Sequence, residues 1–243
     1  METSTVDTLK NHTVVSHHEW LSARKAFLKK EKEFTRLRDE LSKGRRELPW
    51  EKVEKQYTFD GPKRQETLAD LFERRSQLVV YHFMFAPEWD AGCPHCSFWA
   101  DNFNPIIVHL NHRDTTMVAI SRAPQEKIEA FKKRMGWSFK WLSSGNNSFN
   151  CDFYVSFTPE SLKDGTAYYN YRQAGFDHQD REGVSVFYKD DNGSIFHTYS
   201  GYARGIDLLN TAYNYLDLLP KGRDEDNVDF TQAWVRYHDR YDD

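Results

Sequence analysis

Cys93-Pro94-His95-Cys96 is the tetrapeptide of this chain best suited to chemistry. Two cysteines with two residues between them, at the start of a helix, bring their sulfurs within one turn. A small disulfide ring can then close and reopen with little backbone movement. A helix N-terminus carries about half a positive charge, which stabilises a thiolate placed there. Cys93 is therefore the expected nucleophile, and Cys96, one turn inside, the resolving thiol. His95 adds positive charge beside Cys93 and lowers its pKa further. Pro94 stiffens the turn and removes an N–H that has no helical partner in any case. The same spacing also suits a metal, with Cys93, Cys96 and a histidine as ligands. Position favours redox chemistry, because the motif follows an apolar strand and opens a helix.

The remaining reactive residues have plainer readings. Cys151, in Phe149-Asn150-Cys151-Asp152, reads as a partly buried bystander, with a second resolving thiol as the alternative. His82 lies inside an apolar run and reads as a hydrogen-bonded core histidine. His109 and His112, three apart near a helix end, read as a weak metal pair, with favourable charge at the helix C-terminus as the simpler account. The tyrosines of Tyr168-Tyr169-Asn170-Tyr171 and Tyr199-Ser200-Gly201-Tyr202 suit a substrate pocket or an interface equally.

The elements that must position Cys93 and Cys96 are legible around them. Gln77 to Ala86 is almost continuously apolar and β-branched or aromatic, as expected of a central strand covered on both faces. Cys93 to Asn111 reads as a helix, Thr115 to Ser121 as a strand, and Pro124 to Gly136 as a second helix. Val184 to Tyr188 and Ile195 to Tyr199 alternate about Asn192-Gly193, a strong hairpin signal. Ala203 to Leu219 reads as a final helix before Pro220. A βαβ unit followed by a ββα unit predicts an α/β domain: a central mixed sheet flanked by helices. Residues 137–180, rich in Asn, Ser, Gly and Tyr, read as a long insertion before the final hairpin.

Upstream, Ser16-His17-His18-Glu19 has the form of a capping box. A long helix follows, ending near Gly44. Trp20, Phe27, Phe34 and Leu41 repeat every seven residues on one face, with Ala23 and Leu37 beside them. This face is expected to pack on the domain or on a second copy of the chain, making a homodimer a candidate assembly. A strand is expected at Gln56 to Phe59 and a short helix at Thr67 to Arg75. The division expected is 1–48 for the tail and long helix, 49–220 for the domain, and 221–243 for a C-terminal tail that docks back through Trp234, Tyr237 and Tyr241.

The chain has 243 residues, 39% of them hydrophobic, with 17 Phe, 13 Tyr and 7 Trp, which is enough for a substantial core. A net charge of −4 gives no pull toward nucleic acid or an anionic membrane. No stretch is apolar enough to span a bilayer, and residues 1–15 lack an apolar secretory core, so a cytoplasmic location is expected. Three cysteines do not make a disulfide scaffold.

The element order and the CxxC between first strand and helix resemble the thioredoxin superfamily. Cys-Pro-His-Cys is similar to the motif of bacterial periplasmic enzymes that introduce disulfides. The chain also resembles an uncharacterised thioredoxin-like family of predicted dithiol–disulfide oxidoreductases, formerly a domain of unknown function. Tyr81-His82-Phe83-Met84-Phe85, Gly92 to Ser97, Gly136-Trp137-Ser138, Phe149 to Phe153, His197 to Ser200 and Gly222 to Glu225 carry that likeness. It implies the thioredoxin-like fold and thiol–disulfide exchange, with a thiol or disulfide substrate and a cellular thiol reductant as partners. No nucleotide or flavin motif is present, so no cofactor is expected and electrons come from another thiol. Trp89 corresponds to the aromatic residues that flank CxxC in thioredoxins. Where thioredoxins place a proline facing the motif, this chain has Arg181-Glu182-Gly183. Trp89, Arg181 and Gly183 are the expected substrate-binding residues. Arg-x-Gly before a strand is also somewhat like peroxiredoxins, which makes a thiol peroxidase an alternative. Their Thr or Ser three residues before the reactive cysteine is Asp90 here. The residues also leave room for a metal-binding protein and for a non-catalytic dimerisation domain.

Overall fold

The computed structural model describes residues 12–241. Its contacts form two compact units, Met1–Leu48 and Pro49–Asp243. The described part of the first is a single helix, α1 (His17–Glu47). The capping box forms: Glu19 N–H donates to Ser16 Oγ at 3.3 Å, and Ser16 N–H donates to the Glu19 carboxylate at 3.0 Å. The helix runs past Gly44 and stops at Leu48, because the residue before a proline avoids helical angles. No residue of α1 is buried.

The second unit holds strands β1 (Glu51–Lys52), β2 (Thr58–Asp60), β3 (Gln65–Thr67), β4 (Gln77–His82), β5 (Thr115–Ser121), β6 (Lys140–Ser143), β7 (Ala167–Tyr169), β8 (Arg172–Ala174), β9 (Gly183–Lys189) and β10 (Ile195–Tyr202). Its helices are α2 (Leu68–Leu71), α3 (Pro94–Ala100), α4 (Phe103–His112), α5 (Gln125–Arg134), α6 (Phe149–Asp152), α7 (Pro159–Lys163) and α8 (Thr211–Leu216), with a 3₁₀ turn at Ala203–Leu209. The main sheet has the order β1-β10-β9-β4-β5-β6-β2-β3, and β7-β8 form a separate pair. β4 runs parallel to β5, and β5 to β6, while β9 is antiparallel to both β4 and β10. This is the thioredoxin-like fold: a mixed sheet with βαβ and ββα halves.

Side-chain alternation along β4 divides the core. Leu78 and Val80 face a cluster with Phe59, Phe72, Val118, Ile120 and Phe149. Tyr81, on the other face, joins Trp99, Phe103, Ala119 and Trp141. The cysteines sit at the edge of this second, aromatic cluster.

Several elements differ from the sequence-based expectation. The helix expected from Cys93 to Asn111 breaks between Ala100 and Phe103. Pro105 is the cause, since its ring would clash with the carbonyl of Asp101 in a continuous helix. The final helix divides at Asn210, whose side chain caps α8 by accepting from Tyr213 N–H at 2.9 Å. The stretch read as an insertion begins with β6, which extends the sheet beside β5 through Trp141 and Leu142. Only the residues after β6 leave the sheet. They are tied back by Arg122, whose guanidinium donates to Asp180 at 2.7 and 3.0 Å.

His82 is fully buried, within 2.8 Å of Ser185 Oγ through Nε2, and Nδ1 has no partner. Burial pushes its pKa down from 6.5 to about 3. Within that window the unfolded chain takes up a proton that the folded chain refuses. Stability present above pH 6.5 is therefore lost as the pH falls toward 3. His82→Gln, which still offers Ser185 a partner, should flatten the decline of the urea midpoint between about pH 7 and 4.5. An equally steep decline in the variant would show that other groups govern it.

Candidate redox site

Past β4 the chain continues beside β5 as Phe83–Ala86, held by Phe83 N–H to Ile120 O at 2.9 Å and Ala123 N–H to Phe85 O at 2.8 Å. It then loops out and returns at Cys93, whose N–H donates to Met84 O at 2.9 Å. Gly92 makes this return possible. A Cβ there would lie 2.7 Å from the Phe83 ring and 2.8 Å from the Phe131 ring. Cys93 is the N-cap of α3, with Pro94 in the first turn. Ser97 donates to Cys93 O through both its N–H (3.0 Å) and its hydroxyl (2.9 Å). Met84 N–H donates to Cys96 Sγ at 3.4 Å.

Both cysteines are free thiols, 7% and 2% exposed. Their environments drive them apart. A hydrogen bond from Cys96, with a further one from His95, holds the Cys93 thiol well below its usual range against the cost of burial. His95 is raised in return, mainly by its hydrogen bond to the Cys93 sulfur. Burial pushes Cys96 well up, and the Cys93 charge adds to it. The surroundings thus favour negative charge on Cys93, a proton on Cys96 and positive charge on His95. That is the division of labour required of a nucleophile and a resolving thiol.

The cysteines open onto a cavity of about 840 Å³. Trp89, Pro94, His95 and Arg181 line it with them. Lys127 fixes the Trp89 loop by donating to Pro87 O and Trp89 O, each at 2.9 Å. Trp89 meets the edge of His178 at 6.1 Å. The Arg181 guanidinium lies 4.7 Å over the Phe176 ring, and its Nε is buried without a partner. Gly183 sits behind the wall: a Cβ there would meet the Tyr202 ring at 2.8 Å. Cys151 is exposed on α6, where the sequence suggests partial burial, and it does not line the cavity.

Glu182 and Tyr81 escape sequence reasoning, and Tyr237 is expected only as a docking residue of the tail. Glu182 lines the cavity between Arg181 and Gly183. Its carboxylate accepts from Tyr169 Oη at 3.2 Å. Burial, then the Cys93 charge, raises its pKa. Tyr81 is fully buried, its hydroxyl without a hydrogen-bond partner, and burial followed by the Cys96 charge raises its pKa far above 10. Tyr237 donates to Gly92 O at 2.8 Å, so the C-terminal segment forms part of the wall. Phe230 adds a ring contact to His95 at 6.0 Å. Glu225 orders this segment by accepting from Tyr213 Oη and Trp234 Nε1, both at 2.7 Å. The one signal for Glu182 is its place: an acidic residue immediately before the strand that faces the motif.

Among the described residues, no group of three or more His, Cys, Asp or Glu is arranged to hold a metal ion. None of their helices is long and apolar enough to cross a membrane.

Fold and site together define a thioredoxin-like protein with a dithiol pair at the head of the first helix of its βαβ unit. The chain belongs to the family described as bacterial protein of unknown function (DUF899), which matches residues 9–241. No curated protein matches it. Among solved structures it is similar to peroxidoxin BcpB from Mycobacterium tuberculosis, at 13% identity and a TM-score of 0.46, over 67% of this chain and 93% of that one. A peroxiredoxin Q from Xanthomonas campestris is similar at 14% identity and a TM-score of 0.45, over 68% and 91%. The mitochondrial 2-cys peroxiredoxin from Plasmodium falciparum is similar at 14% identity and a TM-score of 0.38, over 68% and 92%.

Proposed function

We propose that this protein is a thiol–disulfide oxidoreductase. The observation that carries the reading is the placement of the pair: Cys93 at the N-cap of α3 and Cys96 one turn inside line one cavity, in surroundings that lower the Cys93 pKa and raise that of Cys96. Cys93 attacks a substrate disulfide, forming a mixed disulfide and releasing one thiol. Cys96 then attacks Cys93, releases the second thiol and leaves a Cys93–Cys96 disulfide, which a cellular thiol reductant reopens. The hydrogen bonds that stabilise the Cys93 thiolate favour the reduced form, so the disulfide is a comparatively strong oxidant. In a reducing cytoplasm such a couple rests as free thiols.

A thiol peroxidase is the second reading. Arg181 lines the cavity that holds Cys93, with its Nε unpaired, and suits a peroxide oxygen there. Cys93 then becomes a sulfenic acid, which Cys96 resolves with loss of water.

Titration in defined dithiol/disulfide buffers, followed by alkylation and mass spectrometry, tests the main reading. One reversible two-electron transition is expected, at a potential less negative than about −200 mV. Thiols that never pair would refute it. A potential near about −270 mV would instead mark a reductant.

A further inference from the structure

The apolar stripe of α1 carries information about its partner. With Trp20, Phe27, Phe34 and Leu41 in heptad position a, Ala23, Lys30, Leu37 and Gly44 fall in position d. Trp20, Phe27, Phe34, Leu37 and Leu41 are 52–66% exposed. So large an apolar face on a helix without a buried residue calls for a cover.

The charges beside the stripe select that cover. Positions e, on one flank, are Arg24, Glu31, Arg38 and Arg45. Positions g, on the other, are Glu19, Ala26, Glu33 and Glu40. In a parallel pair of helices each g residue meets the e residue five positions later on its neighbour. Applied to two copies of this helix, the rule sets Glu19 against Arg24, Glu33 against Arg38 and Glu40 against Arg45. The remaining pair, Ala26 and Glu31, is neutral. An antiparallel pair would place arginine flank against arginine flank and glutamate against glutamate, which is repulsive.

We infer that α1 forms a parallel, in-register two-stranded coiled coil with a second copy of this chain. Lys30 at a d position weakens the seam but penalises shifted registers, as single polar residues at such positions do. Arg24 already pairs with Glu31 along its own helix at 2.8 Å, and its planar fork has donors for Glu19 of the second copy as well. Glu19, although engaged in the capping box, keeps acceptor sites on its carboxylate. This inference is independent of the redox reading.

Two charge-reversed variants of the full chain test it: R38E/R45E, with acidic flanks, and E33K/E40K, with basic ones. Both leave Glu19, Arg24 and the capping box unchanged. Sedimentation equilibrium should show a wild-type dimer. Each variant alone should dissociate about 100-fold more readily, since four attractive contacts per dimer become repulsive. Mixing the two should restore a dimer containing one of each, identified by native mass spectrometry. Near-UV circular dichroism of the aromatic domain separates these effects from misfolding. A monomeric wild type would mean that the stripe is covered in another way, and would overturn the inference. So would variants that dimerise as tightly as wild type, because only the parallel pairing turns attraction into repulsion in both, and a contact through the second unit would not feel the reversal.

Discussion

Cys93→Ser should lose at least about a thousand-fold in disulfide-exchange rate, equivalent to about 4 kcal/mol of barrier. The thiolate is the attacking species, and a serine hydroxyl in the same place is neither ionised nor comparably nucleophilic. The backbone contacts of Cys93 with Met84 and Ser97 do not involve the sulfur, so the variant leaves the site assembled and empty of its nucleophile. Cys96→Ser should behave differently. Its hydroxyl still donates to Cys93, so the first attack proceeds, but nothing resolves the product. A stable mixed disulfide on Cys93 should then accumulate, visible by intact-mass spectrometry after addition of a small aromatic disulfide. Full activity in Cys93→Ser, or a trapped adduct on Cys96 in place of Cys93, would reverse the assignment of roles.

Glu182→Gln should slow the resolving step about 100-fold while leaving alkylation of Cys93 within a few-fold of wild type. In the resting site burial and the Cys93 thiolate keep the Glu182 carboxyl protonated over a wider range than usual. Once Cys93 enters a mixed disulfide, its negative charge is gone and Glu182 ionises more readily. The released proton serves the departing thiolate. The new carboxylate can then take the proton of Cys96, which burial otherwise holds on the sulfur. A carboxyl pKa displaced upward lies closer to that of a thiol and makes a better base for it. Glutamine keeps an acceptor for Tyr169 but carries no proton to exchange. Rapid quench with alkylation resolves the two steps. Resolution in wild type should lose rate as pH falls and Glu182 stays protonated, whereas the slow rate in the variant should not follow that titration. Equal rates of resolution in the two proteins would leave Glu182 a purely structural residue.

The motif and its frame were legible because each rests on local pattern. β4 reads as an unbroken apolar run, the hairpin as alternation about Asn192-Gly193, and α1 as a capping box followed by a seven-residue repeat. The break between α3 and α4 was missed, although Pro105 carries the signal for it, since proline does not sit in the interior of a continuous helix. β6 was obscured because two apolar residues, Trp141 and Leu142, are too few to establish a period. The wall of the site was readable only in part: Trp89, His95 and Arg181 were expected there, and Tyr237 only as a docking residue of the tail. Tyr237 reaches Gly92 across 145 residues, and the hydrogen bond joining them leaves no trace in either local sequence. Glu182 is one charged residue among many until the sheet places it beside the cysteines.

The Tyr237–Gly92 bond also sets an order of events during synthesis. Ribosomes add about 5–20 residues per second, so Tyr237 follows Gly92 by about 7–30 s. For that interval the nascent chain carries both thiols without the segment that later closes over them. The enclosure of the two cysteines therefore forms only after the cysteines themselves have been made, so they meet their surroundings once before it exists and on different terms afterwards.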